Sequence, residues 1–170
     1  MLVTGFGAFP GVVHNPTEAL ARAIDGAVVD GMSVWGRVLP VSYRRGPALA
    51  IELAKELNAT LVVGLGVATG RSRVEVECLA HRGDNGLPDV DGIRDAGLVG
   101  EAVQQATLDT ACLAAALDAG LSHSAGRYVC NAWLYQVAGA LEVPVGFIHI
   151  PPTGMAPDRL LGGVRALLRL

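Results

Sequence analysis

A chain of 170 residues is the size of one ordinary domain and buries about 70% of its unfolded surface, so it needs no disulfide or metal to hold a core. Hydrophobic residues make up 51% and charged residues 17%, which excludes a disordered chain. Net charge is −3 and no basic run exceeds Arg44-Arg45, so nucleic acid is not an expected partner; mean hydropathy is +0.42, yet no apolar stretch reaches the ~20 residues that span a bilayer.

Met1 to Thr4 reads as a short buried strand that leaves no room for a signal peptide, followed by a Gly-rich turn from Gly5 to Gly11. Asn15-Pro16-Thr17-Glu18 opens a helix, with Asn15 as cap, Pro16 at the first helical position, and Leu20, Ala23 and Ile24 on one face. Ser33 to Leu39 reads as a strand ended by Pro40, and Pro47 to Leu57 as a helix. Leu61 to Gly66 is an apolar run of the kind buried on both faces of a sheet. Val74 to Leu79 alternates, with Val74, Val76 and Cys78 on one side and Glu75 and Glu77 on the other. Ala80 to Gly100 is rich in Gly, Asp, Asn and Pro and reads as a long irregular loop. Thr107 to Ala119 is a helix, Tyr128-Val129 leads into another from Cys130 to Leu141, Val145 to Ile150 is a strand, and Pro157 to Leu168 a last helix.

This alternation predicts an α/β fold: a single domain over residues 1–170 with a mostly parallel open sheet and helices on both faces. Ligands in such folds bind beyond the carboxyl ends of the strands. The loops to watch are therefore Gly5 to Gly11, Pro40 to Gly46, Gly66 to Ser72, and Pro151 onward. Three cysteines, Cys78, Cys112 and Cys130, form an odd, sparse set without metal-ligand spacing, which reads as free thiols in a reducing compartment, the cytosol.

Cys130 is the candidate nucleophile. It lies where an apolar run meets a helix, and a thiol in a first helical turn faces unpaired N–H groups and the positive end of the macrodipole, which favour the thiolate and suit an oxyanion. Most intracellular cysteines are simply small buried hydrophobes, as Cys112 and Cys78 read here. His149, near the end of an apolar strand, must find a partner or face a cleft. Glu77, two residues after Glu75, reads by itself as the wet face of a strand; His14, His81 and His123 lie in loop-like surroundings.

Four stretches in order resemble the pyrrolidone-carboxylate peptidases (pyroglutamyl peptidase I): Leu2-Val3-Thr4-Gly5-Phe6-Gly7-Ala8-Phe9 with Asn15-Pro16; Gly70-Arg71-Ser72 followed by Glu77; Val129-Cys130-Asn131; and Gly146-Phe147-Ile148-His149-Ile150-Pro151. Leu39-Pro40-Val41 fits the same pattern. The resemblance implies a cysteine exopeptidase acting on N-terminally pyroglutamylated peptides, with Glu77, Cys130 and His149 as catalytic triad and no metal or organic cofactor. It implies Phe6, Phe9, Tyr128 and Val129 as walls for the pyroglutamyl ring, the backbone near Val67 and Tyr128 as partners of the lactam, Asn15 as support of the first loop, and a dimer or tetramer of the chain. Relatives carry an Arg near the oxyanion in an Ala-Arg-Ile-Pro-Asp-like segment; here the run is Asp84-Asn85-Gly86-Leu87-Pro88-Asp89, with Gly86 roughly where that Arg stands. Arg82 and Arg71 are the candidate substitutes, and a relative that only binds pyroglutamyl peptides is the alternative.

Two rival readings fail on spacing. Gly5-Phe6-Gly7-Ala8-Phe9-Pro10-Gly11 lacks the third Gly of a dinucleotide fingerprint. Asp84, Asp89, Asp91 and Gly92 lack the terminal Glu and helical flanks of a calcium loop, and read as solvated turn residues.

Overall fold

Hydrophobic alternation along the central strands decides the layering. A computed structural model of the chain describes residues 1–83 and 86–169. Strands β1 (Leu2–Phe6), β4 (Trp35–Leu39), β5 (Val62–Val67), β6 (Glu75–Glu77), β9 (Gly120–Ser122) and β10 (Val145–Ile150) form one sheet in the order β4-β1-β5-β10-β6-β9. The first four run parallel; β6 pairs antiparallel with β10 and parallel with β9. The result is the expected α/β domain, a mostly parallel sheet covered on both sides.

Leu2, Val62, Val145 and Phe147 point to one face, where α2 (Arg45–Glu56) and α4 (Val129–Ala140) pack through Ala50, Ala54, Trp133 and Val137. Val3, Val63, Ile148 and Ile150 point to the other face, covered by α1 (Pro16–Ile24), α3 (Thr110–Ala116) and α5 (Pro157–Leu167). A period of two in the strands thus serves two cores.

The helix at Asn15 starts as expected: its side chain accepts from the Thr17 N–H, and its amide donates to Gly7 O, so it both caps α1 and holds the first loop. The predicted helix from Thr107 is shorter. Thr107 is strapped to β10 by N–H to Val145 O and by Val145 N–H to its hydroxyl, and Asp109 then caps α3 by accepting from Cys112 N–H. Two small ribbons escaped sequence reading. One pairs β2 (Val28–Val29) with β3 (Met32–Ser33) across Asp30 (φ 48°) and Gly31 (φ 85°). The other pairs β7 (Leu79–His81) with β8 (Val103–Gln105) and brackets the long loop, of which Asp84 and Asn85 lie outside the described residues. No described helix is long and apolar enough to cross a membrane.

Candidate active site

Register brings the acid and the histidine together. In the antiparallel pair, Phe147 stands opposite Glu77 and His149 opposite Glu75. Phe147 faces the α4 side of the sheet, so Glu77 and His149 face it too and are diagonal neighbours, within reach of long side chains. The His149 Nδ1 lies 2.7 Å from Glu77 Oε1, inside the core: Glu77 is fully buried and His149 is 5% exposed. The strand side that reads as wet from sequence is therefore closed at Glu77, where His149 and Arg71 lie against it.

The third group comes from that helix. Cys130 is the second residue of α4, whose N-cap Tyr128 offers no side-chain cap. Its sulfur and the His149 imidazole line the same cleft, near enough for each to bear on the other's charge. Asn131, buried beside it, accepts from His81 N–H at 2.8 Å and donates to His81 O at 2.8 Å, which fixes the first turn of α4 against β7. Gly66 on β5 leaves the room: a methyl there would stand 2.7 Å from the Cys130 sulfur and 2.8 Å from the Phe147 ring.

Electrostatics follow from this packing. Burial alone would lower His149, but the neighbouring Cys130 sulfur, together with Glu77, pushes its pKa up to about 9. Burial alone would raise Glu77, but the hydrogen bond and charge of His149, with smaller help from Ser122 and Arg71, hold its carboxyl below the ordinary range. The arrangement suits transfer of a proton from sulfur to imidazole, with the carboxylate fixing the ring.

The site opens into a cleft of about 700 Å³ that includes Cys130, His149, Phe9, Leu87, Arg71 and Arg127. Phe6, Phe9, Val67, Tyr128 and Val129, all expected as substrate contacts, line one small apolar hollow with Cys130; Val41 and Asn15 also line it. Phe9 and Tyr128 pack with ring centroids 5.8 Å apart, and Tyr43 meets Tyr128 edge-on at 5.6 Å. The Tyr128 carbonyl already accepts from the N–H groups of Asn131 and Ala132.

Neither arginine considered as a substitute aims at an oxyanion. Arg82 donates to Gly100 O and does not line the cleft. Arg71 lines the cleft, but its guanidinium is bound to Glu77 and Glu75. Position 86 holds Gly, whose N–H donates to Arg127 O at 2.9 Å. Sequence reading missed the segment after it. Leu87 O accepts from the Tyr43 hydroxyl at 2.8 Å and Pro88 O from the Tyr128 hydroxyl at 3.2 Å. Asp89 accepts from the N–H groups of Tyr43, Asp91 and Ile93, and Asp91 pairs with Arg45, so these acids are engaged in building the loop.

Known proteins resemble this chain over most of its length. The pyrrolidone-carboxylate peptidase of Halalkalibacterium halodurans is 33% identical over 169 residues, covering 89% of this chain and 83% of that one. That of Thermococcus litoralis is 31% identical over 179 residues, covering 95% and 79%. Among solved structures, the pyrrolidone carboxyl peptidase from T. litoralis superposes with a TM-score of 0.86 at 27% identity, covering 99% of this chain and 90% of that one. The enzyme of that name from Pyrococcus furiosus gives 0.84 at 27%, covering 99% and 95%. The family described as pyroglutamyl peptidase matches residues 1–162, and the chain belongs to that family.

Proposed function

We propose that this protein removes the N-terminal L-pyroglutamyl residue from peptides through a covalent acyl-enzyme, with Cys130 as nucleophile, His149 as base and then acid, and Glu77 as orienting carboxylate. The observation that carries the reading is the His149 imidazole, held at 2.7 Å by a fully buried Glu77 and sharing one cleft with the Cys130 sulfur, beside an apolar hollow.

In this reading the sulfur gives its proton to His149 and attacks the pyroglutamyl carbonyl. First-turn N–H groups of α4 face the oxygen that gains charge. The tetrahedral species collapses, the C–N bond breaks, and the leaving amine takes its proton from His149. Water then attacks the thioester, giving its proton to the imidazole, and free pyroglutamate departs with the thiol restored. Glu77 holds Nδ1 as the donor throughout. Pyroglutamate is a neutral five-membered lactam without a free amino group, and the hollow formed by Phe6, Phe9, Val67, Tyr128 and Val129 offers it apolar walls. A cytosolic, homo-oligomeric protein working on peptides belongs to the same reading, with light scattering to check the assembly.

The test is hydrolysis of a fluorogenic L-pyroglutamyl amide by the native protein, by Cys130→Ala, and after iodoacetamide treatment. Turnover by the untreated native protein alone supports the reading. Binding of the amide without turnover by folded, reduced protein would select the binding-only alternative, and turnover that survives Cys130→Ala would replace the nucleophile.

A further inference from the structure

Arg71 takes no part in the steps above, yet it is built into them. It sits on the turn after β5 and reaches past the end of β10 to β6 and β9. Its Nη1 lies 2.5 Å from Glu77 Oε1 and 2.8 Å from Glu75 Oε2, while Nη2 donates to Ser124 O at 2.9 Å and to the Ser122 hydroxyl at 3.3 Å. Glu77 Oε1 is the same oxygen that holds His149 Nδ1.

Two physical problems meet at this point. Glu75 and Glu77 alternate along one strand, so both carboxylates face the same side, and like charges so placed repel. Glu77 is also fully buried, and His149 is cationic for only part of a catalytic cycle. Whenever the imidazole is neutral, a carboxylate without another cation would draw a proton. A guanidinium is charged at every working pH and offers a rigid fork of donors. Arg71 lies between the two acids, and its second arm grips Ser124, four residues before the N-cap Tyr128 that leads to Cys130.

We propose that Arg71 is a positioning residue that keeps Glu77 ionised and fixed in both charge states of His149, and ties the acid to the chain segment entering the nucleophile helix. This rests on the peptidase reading of the same site. The groups facing Glu77 are His149 from β10, Arg71 from the turn after β5, Glu75 on its own strand with Arg73 paired to it, and Ser122 from β9; Cys130 of α4 faces His149 on its other side.

The experiment measures kcat and KM against pH for native protein, Arg71→Met, Arg71→Lys, Glu77→Gln and the Glu77→Gln/Arg71→Met double variant, each checked for folding by thermal melt. Arg71→Met is expected to lower kcat on the order of 10- to 100-fold with KM changed less than about threefold, and to move the acid limb of kcat/KM to higher pH because Glu77 then holds a proton more readily. Arg71→Lys, which keeps the charge but not the fork, lowers kcat yet leaves the acid limb near its native position; should Arg71→Met not fold, a native kcat or a displaced acid limb in Arg71→Lys overturns the proposal by itself. In the Glu77→Gln background the Met substitution costs less than about threefold, because its route of action is gone. Additive losses, a KM effect without a kcat effect, or an acid limb displaced as far by Lys as by Met would overturn the proposal and place Arg71 on the substrate instead. The rate at which iodoacetamide alkylates Cys130 against pH needs no substrate. Native protein that hydrolyses no pyroglutamyl amide but whose alkylation profile still shifts in Arg71→Met would refute the substrate reading and leave this proposal standing.

Discussion

Cys130 and Gly66 compete for one space: the sulfur occupies the room that a methyl on Gly66 would need, at a separation of 2.7 Å. The neighbouring Phe147 ring is fully buried and cannot yield. Gly66→Ala therefore pushes the sulfur off the line to His149. Overpacking of this kind costs about 1–3 kcal/mol, and a misplacement near 1 Å costs on the order of 10²-fold in rate. Turnover and the urea midpoint read the two effects separately. Native kcat in a folded Gly66→Ala protein would show that the sulfur is not held there during reaction.

The His149 imidazole is expected to titrate near pH 9, and the negative charge of Cys130 is the foremost cause of that rise. Because the folded value lies above the ordinary 6.5, protonation of His149 adds stability that is fully present below about pH 6.5 and is lost as pH climbs through about 9. Cys130→Ala removes the main cause, so histidine NMR should find the titration at lower pH, and thermal stability should lose its decline toward pH 9. An unchanged titration in Cys130→Ala would mean that sulfur and imidazole do not interact.

Asn131 stands in for a strand partner by bonding both backbone groups of His81. Asn131→Ala leaves those groups without their partners, at about 1–3 kcal/mol each where water does not replace them. The expected result is a lower urea midpoint with an unchanged slope, together with a kcat loss that follows the loosened first turn of α4. Full stability would show that water takes over both bonds.

Much of this fold was legible because a strand buried on two faces advertises itself as an apolar run, as at Leu61 to Gly66 and Val145 to Ile150. The β2–β3 ribbon was not, although Asp30-Gly31, with paired positive φ values, suits a tight hairpin; strands of two residues carry no periodicity. The start of α3 was misplaced because tertiary bonds from Thr107 to Val145 outweigh local helix preference. The site divides the same way. Cys130 showed itself by its place at a helix start. Glu77 did not, since only the antiparallel register with β10 turns a wet-looking strand residue into the partner of His149. The occupation of Arg71 by two acids was invisible for the same reason.

Two tyrosine hydroxyls strap consecutive carbonyls of the cleft rim, Tyr43 to Leu87 and Tyr128 to Pro88. Tyr43→Phe should cost about 0.5–1.5 kcal/mol of stability, read from the thermal midpoint. Tyr128→Phe, whose longer bond borders the hollow, should raise KM by about two- to tenfold with kcat nearly native. A KM unaltered in both variants would show that the rim does not touch the substrate.

The last strand of the sheet in chain order, β10, lies between β5 and β6 in space. A ribosome therefore delivers both flanks of the sheet before the piece that joins them. Until residue 150 has emerged, the nascent polypeptide has a thiol but neither a histidine beside it nor a closed cleft around it. Emergence of β10 and assembly of the constellation thus coincide, and a product cut short before it carries Cys130 without His149.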